Sequence, residues 1–216
     1  MMNEIAFIWD LDGTLIDSYP SIVKVLTDLV KHYGISGDEE YIHKFIIDKS
    51  IAEYIKDISN EYCISQAELR IFMRNSSSKY EDLTMQVDGI IEVLDFLESI
   101  GIRNYIYTHN TKDNTTRILK RLNMLDYFSD IVTCENGFKR KPDGEGIVYL
   151  LDKYNLTTSC TYYVGDRSLD VASAKNANVK SIYYGHDVKI DAEYVITNMR
   201  QIIELVKKWC TKFYEV

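Results

Sequence analysis

Short apolar runs and helical patterns alternate along the second half of this chain, and this alternation limits the possible folds more than any other feature. Parallel strands cannot be joined by a tight turn, so each pair needs a crossover, which is usually a helix. The alternation therefore predicts an α/β fold with a parallel sheet and helices on both faces. The predicted strands are 104–108, 130–134, 161–165, 181–184 and 193–196, and the predicted helices are 112–122, 144–154, 168–177 and 199–209.

The first part of the chain is organised differently. Residues 5–10 form a short apolar run that ends in an acid, which predicts one buried strand. From about residue 17 to residue 82, every apolar pattern has helical spacing. Within this stretch, Ser36–Glu39 and Ser65–Glu68 have the capping-box pattern, which predicts that a helix begins at each.

The order of these elements predicts two domains. We expect an α/β domain built from residues 1–16 and 83–216, interrupted by an all-helical insert over 17–82. Hinges between the two are expected near 15–18 and 84–88.

Composition narrows the possible partners. The net charge is −8, so a polyanionic nucleic acid would be repelled overall. No apolar run approaches the roughly 18 residues that a membrane helix needs, and no secretory signal is visible. The four cysteines form no CxxC pair, which fits reduced thiols. We therefore expect a cytoplasmic protein, monomeric or homodimeric, that acts on a small molecule rather than on nucleic acid or a membrane.

Acidic residues follow two of the predicted strands. Asp10 and Asp12 end the first strand, and Gly13 allows the chain to turn sharply after them. Asp166 and Asp170 follow a later strand, four residues apart where a helix begins. In a parallel sheet these carboxylates converge beyond the carboxyl ends of the strands. Four converging carboxylates repel one another, and their hard oxygen ligands suit Mg²⁺.

Four segments then carry a family resemblance. In chain order they are 7–15 (FIWDLDGTL), 107–110 (YTHN), 140–143 (RKPD) and 164–170 (VGDRSLD). On these motifs the chain resembles the haloacid dehalogenase-like superfamily, in its phosphoglycolate phosphatase-like branch. The resemblance covers nearly the whole chain, and it implies a Rossmann-like core with an inserted α-helical cap.

The resemblance implies an Mg²⁺-dependent phosphatase that acts through an aspartyl-phosphate. Asp10 would be the nucleophile, and Asp12 would be the general acid and then the general base. Mg²⁺ would be held by Asp10, Asp166 and the backbone carbonyl of Asp12. Asp170 would support this metal shell directly, through water or through Lys141.

The same resemblance assigns the groups that hold phosphate. The side chains of Thr108 and Lys141, with backbone N–H groups near Leu11 and Asn110, would contact the phosphoryl oxygens. His109 lies beside Thr108 and is a further candidate contact, although the family does not require a histidine there.

The helical insert is expected to close over the site and to select the substrate. Lys49 and Ser50 lie between two of its predicted helices and are candidate substrate contacts, while Ser50 alternatively caps the second of these helices. Two positions depart from the family pattern: Gly144 stands where a second proline is common, and Asn178 stands where glycine is usual. We expect Asn178 to adopt the left-handed conformation that ends a helix.

Two alternatives remain open. The first is a sugar phosphomutase of the same superfamily, although no histidine follows the first motif closely. The second is a catalytically silent binding protein, although the expected catalytic residues are all present, namely Asp10, Asp12, Thr108, Lys141 and Asp166. Carbon–halogen cleavage is disfavoured, because the dehalogenases of the superfamily lack an acid at the position of Asp12. The substrate would be a small phosphorylated metabolite, such as a phosphoglycolate-like phosphomonoester.

Overall fold

The computed structural model describes residues 5–187 and 189–212. These fall into two compact units: one contains the chain up to Asp17 and from Gln86 onward, and the other is Ser18–Met85. The elements in chain order are β1 (Ala6–Trp9), β2 (Ile16–Asp17), α1 (Tyr19–His32), α2 (Glu39–Asp48), α3 (Ile51–Tyr62), α4 (Gln66–Ser76), β3 (Met85–Gln86), α5 (Ile90–Ser99), β4 (Arg103–Tyr107), α6 (Lys112–Arg121), β5 (Phe128–Val132), α7 (Glu145–Tyr154), β6 (Thr161–Gly165), α8 (Ser168–Asn176), β7 (Lys180–Tyr184), β8 (Tyr194–Ile196) and α9 (Gln201–Lys212).

Six strands form one sheet in the order β5-β4-β1-β6-β7-β8, and every neighbouring pair is parallel. The predicted α/β class with a parallel sheet is therefore confirmed. β1 lies in the middle, between β4 and β6, so the carboxyl ends of these three strands are neighbours at one edge. The short strands β2 and β3 pair with each other in a separate two-stranded sheet, which was not predicted.

The two faces of the sheet bury two separate cores. Side chains alternate along a strand, so Phe7 and Trp9 of β1 point to one face, while Ala6 and Ile8 point to the other. Residues of α5, α6 and α9 cover the first face, and residues of α7 and α8 cover the second. Burying each large apolar side chain contributes roughly 1.5–3 kcal/mol. Burial on both faces holds β1 rigidly, and this fixes the position of the residues that directly follow it in the chain.

The helical unit has its own core, formed by apolar residues of α1 to α4. Two of its helices are capped by side chains. Asp38 accepts hydrogen bonds from the backbone N–H groups of Glu40 and Tyr41 at the start of α2. The prediction that Ser36 caps this helix is therefore wrong, because α2 begins at Glu39 and Asp38 occupies the capping position. Among the described residues, no helix is both long and apolar enough to cross a membrane.

Candidate active site

Three of the predicted site residues of the α/β unit lie directly after the three central strands. Asp10 follows β1, Thr108 follows β4 and Asp166 follows β6. The backbone N–H of Asp10 donates to the carbonyl of Val164 at 2.8 Å, and that of Thr108 donates to the carbonyl of Val132 at 2.9 Å. Sheet hydrogen bonding thus continues through two of these residues and fixes their backbones.

A buried ion-pair cluster occupies this edge of the sheet. Lys141 Nζ donates to Asp10 Oδ1 at 2.5 Å and to Asp170 Oδ1 at 2.8 Å. The three side chains are only 2%, 11% and 1% exposed, in that order. The rings of Tyr107 and Tyr163 also lie 5.1 and 5.3 Å from Lys141 Nζ, so two aromatic faces and two carboxylates surround the ammonium group.

Burial and charge shift the pKa values within this cluster. Burial alone would lower the pKa of Lys141, but the carboxylates of Asp10 and Asp170 outweigh it and raise the pKa above its usual range. Burial raises the pKa of Asp10 well above its usual range, Lys141 opposes this rise, and Asp170 and Asp166 add to it. The two carboxylates therefore favour the charged form of Lys141, and Lys141 in turn favours the ionised form of Asp10.

Three carboxylates form a candidate metal centre. Asp10, Asp166 and Asp170 each offer one oxygen, and these oxygens lie within 4.8 Å of one another. One ammonium group, that of Lys141, balances only part of their charge. Hard oxygen donors with an excess of negative charge are what a divalent cation such as Mg²⁺ requires, so the residues fit the predicted metal.

Hydrogen bonds distinguish the members of this carboxylate cluster. Asp170 accepts from Lys141 Nζ and from the Tyr163 hydroxyl at Oδ1, and from the backbone N–H of Arg167 at Oδ2. Both of its oxygens are thus engaged by protein donors, which suits a supporting role. The Thr14 hydroxyl donates to Asp166 Oδ1 at 3.3 Å and orients that carboxylate.

Two glycines make room for the carboxylates. Gly13 has φ +82°, and a Cβ there would lie 2.2 Å from Asp166 Oδ2. At Gly165, a Cβ would lie 2.3 Å from Asp170 Cβ. Contacts this short are forbidden, so the close approach of the acids depends on both glycines. The first glycine also supplies the left-handed conformation of the turn.

Asp12 is half-buried, and a residue of the second motif donates a hydrogen bond to its carboxylate. Asn110 Nδ2 donates to Asp12 Oδ2 through a long hydrogen bond of 3.4 Å. The Asn110 Oδ1 accepts from the backbone N–H of Thr111 and from Asn114 Nδ2, both at 2.9 Å. Exchanging the oxygen and nitrogen of this amide by a 180° rotation would break both hydrogen bonds. The amide therefore presents a donor to Asp12 and fixes the direction of its carboxylate.

Thr108 and His109 both bind to protein groups. The buried Thr108 Oγ1 accepts from the backbone N–H of Asn110 at 3.1 Å, which leaves the hydroxyl proton able to donate elsewhere. His109 Nε2 accepts from the backbone N–H of Lys141 at 2.8 Å. Burial, helped by the positive charges of Lys141 and Arg140, lowers the pKa of His109 to about 3. The ring is therefore neutral at physiological pH.

The two candidate substrate contacts of the helical unit also have local structural partners. Lys49 directly follows α2, and its Nζ lies 4.5 Å from the centre of the Phe45 ring. Ser50 caps α3 by accepting from the backbone N–H of Glu53 at 3.0 Å. The alternative that Ser50 serves as a helix cap is therefore confirmed.

The two departures from the family pattern have structural explanations. A Cβ at Gly144 would lie 2.9 Å from the backbone nitrogen of Ala177 and 3.1 Å from the carbonyl carbon of Asn176, so the loop packs directly on the end of α8. Asn178 has φ 54°, which confirms the predicted left-handed conformation.

Sequence reasoning missed the two tyrosines that flank Lys141. Tyr107 and Tyr163 lie within buried strands, where an aromatic residue indicates packing and gives no sign of a polar contact. The one available signal was spacing. Tyr107 and His109 lie two residues apart at the end of β4, and residues at this spacing on a strand have their side chains on the same face.

Comparison with known proteins identifies the family. A family model described as haloacid dehalogenase-like hydrolase matches residues 7–184. The chain belongs to the haloacid dehalogenase-like hydrolase family. It is 26% identical over 210 residues to a phosphoglycolate phosphatase of Pseudomonas fluorescens, covering 90% of this chain and 77% of the relative. It is 25% identical over 209 residues to the pyrophosphatase PpaX of Bacillus velezensis, covering 93% and 95% of the two chains.

Solved structures agree on the fold of this hydrolase. A predicted phosphoglycolate phosphatase from Haemophilus somnus superposes with a TM-score of 0.81 at 17% identity, covering 95% of this chain and 99% of the other. A subfamily IA hydrolase from Geobacter sulfurreducens superposes with a TM-score of 0.76 at 20% identity, covering 94% and 96%. The family and the relatives named phosphatases support the prediction that this hydrolase is a phosphatase.

Proposed function

We propose that this hydrolase is an Mg²⁺-dependent phosphatase that cleaves a small phosphomonoester through an aspartyl-phosphate on Asp10. The observation that carries the proposal is the buried cluster of Asp10, Lys141 and Asp170, with Asp166 beside it. Asp12 lies two residues after Asp10 and is oriented by Asn110. A nucleophile, a fixed cation, an acid–base group and a metal-binding set thus stand at one edge of the sheet.

In the first step, an oxygen of Asp10 forms a bond to phosphorus while the bond from phosphorus to the leaving oxygen breaks. Asp12, in its protonated form, transfers its proton to that leaving oxygen. Lys141 favours the ionised form of Asp10 that the attack requires. The hydroxyl of Thr108 and the ammonium of Lys141 supply donors for the phosphoryl oxygens.

In the second step, water hydrolyses the aspartyl-phosphate. Asp12, now ionised, takes a proton from water, whose oxygen bonds to phosphorus as the bond to Asp10 breaks. Inorganic phosphate leaves, and both aspartates return to their starting states. The half-buried position of Asp12 suits this exchange, because the group must meet both the leaving oxygen and water.

The proposed metal ligands are Asp10, Asp166 and the backbone carbonyl of Asp12, with Asp170 supporting them. When bound, Mg²⁺ offsets the charge of the carboxylates and of the phosphoryl group. Thr14 and Lys141 hold Asp166 and Asp170 by hydrogen bonds, so the ligand set is oriented by this chain's own residues.

We propose that the substrate is a small phosphorylated metabolite such as phosphoglycolate, and that the helical unit selects it, with Lys49 as a candidate contact. Relatives named phosphoglycolate phosphatase support this choice, and the relative named pyrophosphatase makes pyrophosphate the main competitor. A cytoplasmic location is part of the proposal, and the four free cysteines support it.

The test is phosphate release from phosphoglycolate, sugar phosphates, nucleotides and pyrophosphate, with Mg²⁺ and with a chelator. We expect Mg²⁺-dependent turnover by the wild type and none by Asp10→Asn. The matched control is Asp191→Asn, which removes an exposed carboxylate paired with Lys175 on the surface and should retain full activity.

Other results would support the alternatives. Isomerisation of a sugar phosphate that depends on a sugar bisphosphate, with little phosphate released, would indicate a phosphomutase. Mg²⁺ binding by a folded protein without turnover of any compound would indicate a binding protein. Equal activity of the wild type and Asp10→Asn would contradict the proposed nucleophile.

A further inference from the structure

The loop that carries Lys141 is held on two sides by residues at the end of β4. The Tyr107 hydroxyl donates to the carbonyl of Lys139 at 3.2 Å. His109 Nε2 accepts from the backbone N–H of Lys141 at 2.8 Å. The two rings meet edge-on with their centres 6.3 Å apart, so both side chains lie on the same side of the chain. The loop backbone therefore accepts one hydrogen bond at Lys139 and donates one at Lys141, on either side of Arg140.

The packing around Tyr107 is built for this contact. A Cβ at Gly146 in α7 would lie 2.5 Å from Tyr107 Cε2, so the ring fits only because that position is glycine. Beyond the loop, Asn176 Nδ2 donates to the carbonyl of Pro142 at 2.8 Å. Hydrogen bonds thus fix the loop at Lys139, Lys141 and Pro142. They restrain a backbone that has the flexible Gly144 where the family often has a proline.

Fixing this backbone fixes the position of the ammonium group. Lys141 Nζ must reach both Asp10 and Asp170, and the Tyr107 ring that anchors the loop also lies 5.1 Å from Nζ. We propose that Tyr107 and His109 act as positioning residues that clamp the loop and set the place of Lys141 between the two carboxylates. This inference rests on the proposed function, and it reassigns His109 from a phosphate contact to a support for Lys141.

The acceptor role requires a neutral imidazole with its proton on Nδ1. The positive charges that act on the ring are Lys141, Arg140 and Arg167, and the neighbouring Tyr107 meets it edge-on with ring centres 6.3 Å apart. Burial and these three cations oppose protonation. A cationic histidine that binds phosphate would instead need its Nε2 proton, which the hydrogen bond from Lys141 excludes.

The first test does not depend on activity. Nitrogen-15 NMR of the wild type should show His109 with Nδ1 protonated and Nε2 unprotonated, without titration between about pH 5 and pH 8. The amide of Lys141 should exchange slowly in the wild type and about fivefold faster in His109→Leu, since losing a typical hydrogen bond of about 1 kcal/mol is equivalent to such a factor. A His109 that titrates in this range, or an unchanged Lys141 amide, would overturn the clamp.

The second test separates positioning from substrate contact. We expect His109→Leu to lower kcat by roughly tenfold to a hundredfold, as expected for a misplaced catalytic group, with little change in KM. His109→Gln keeps a side-chain acceptor and should recover most of kcat, and Tyr107→Phe should show a smaller loss. The matched control His32→Leu removes an exposed histidine and should behave as the wild type.

Two kinetic results would overturn the inference. A higher KM with unchanged kcat in His109→Leu would mean that the ring binds substrate. Equal losses in the Leu and Gln variants would mean that the acceptor does not matter. A wild type that releases phosphate from no compound would instead contradict the proposed function, and the NMR result would still decide the clamp.

Discussion

Replacing Lys141 by methionine should destabilise the fold far more than the same change at Lys139. Both lysines face two acidic groups: Lys141 faces Asp10 and Asp170, and Lys139 faces Glu145 at 2.8 Å and Asp143 at 3.8 Å. They differ in burial, since the Lys139 side chain is 71% exposed and that of Lys141 is 2% exposed. Burial therefore decides the size of the effect.

Methionine keeps much of the lysine stem but leaves two buried carboxylates without their cation. Removing one partner of a buried ion pair costs about 3–5 kcal/mol. A typical domain has a free energy of unfolding of about 5–15 kcal/mol, so Lys141→Met should lose a large share of it. Lys139→Met removes only exposed pairs, whose charges water solvates after the change, and should stay close to the wild type.

The assay is urea unfolding at pH 7 with a chelator present, followed by the fluorescence of tryptophan, since Trp9 is fully buried. Acidification should restore part of the lost stability in Lys141→Met. The unpaired carboxyls of the variant have pKa values raised above those of the unfolded chain, so the folded state binds protons first. Similar losses in the two variants, or a loss in Lys141→Met that grows as the pH falls, would refute this reasoning.

Three further predictions concern single positions. Gly13→Ala should abolish turnover and weaken Mg²⁺ binding in calorimetry, because its Cβ would lie 2.2 Å from Asp166 Oδ2; wild-type affinity for Mg²⁺ would contradict this. Gly144→Ala should lower the midpoint of urea unfolding, because its Cβ would lie 2.9 Å from the Ala177 nitrogen; an unchanged midpoint would show that the loop yields. Between pH 7 and about pH 5, the wild type should lose about 2 kcal/mol more stability than His109→Gln, because only the unfolded chain protonates this histidine near its ordinary pKa of about 6.5. Equal losses of the wild type and His109→Gln in urea unfolding at the two pH values would rule out the buried neutral ring.

The central strands could be predicted from the sequence because each is a short apolar run bounded by polar residues. β6 was predicted at 161–165 and begins and ends there. β5 was predicted at 130–134 but spans Phe128–Val132, because Thr133 leaves the strand to cap the following turn. β2 and β3 have two residues each, which is too short for any periodicity to be read.

The site could be predicted in part for the same reason. Asp10 and Asp166 directly follow strands, so the parallel sheet brings them together once its order is known. The hydrogen bond from the Tyr107 hydroxyl could not be predicted from the sequence, because its acceptor, the carbonyl of Lys139, lies 32 residues away in the chain. The hydrogen bond from the backbone N–H of Lys141 to the His109 ring likewise joins positions 32 residues apart, so no local sequence pattern indicates it.

The measurement that tests the central claim most directly is the detection of phosphate bonded to Asp10. The protein is mixed with Mg²⁺ and p-nitrophenyl phosphate, whose leaving group departs without a proton from Asp12, then quenched in acid and analysed by peptide mass spectrometry. We predict that the peptide containing Asp10 gains one phosphoryl group, most strongly in Asp12→Asn, where hydrolysis lacks its base, and never in Asp10→Asn. Rapid release of phosphate by the wild type, with no phosphorylated Asp10 in either protein, would contradict the account.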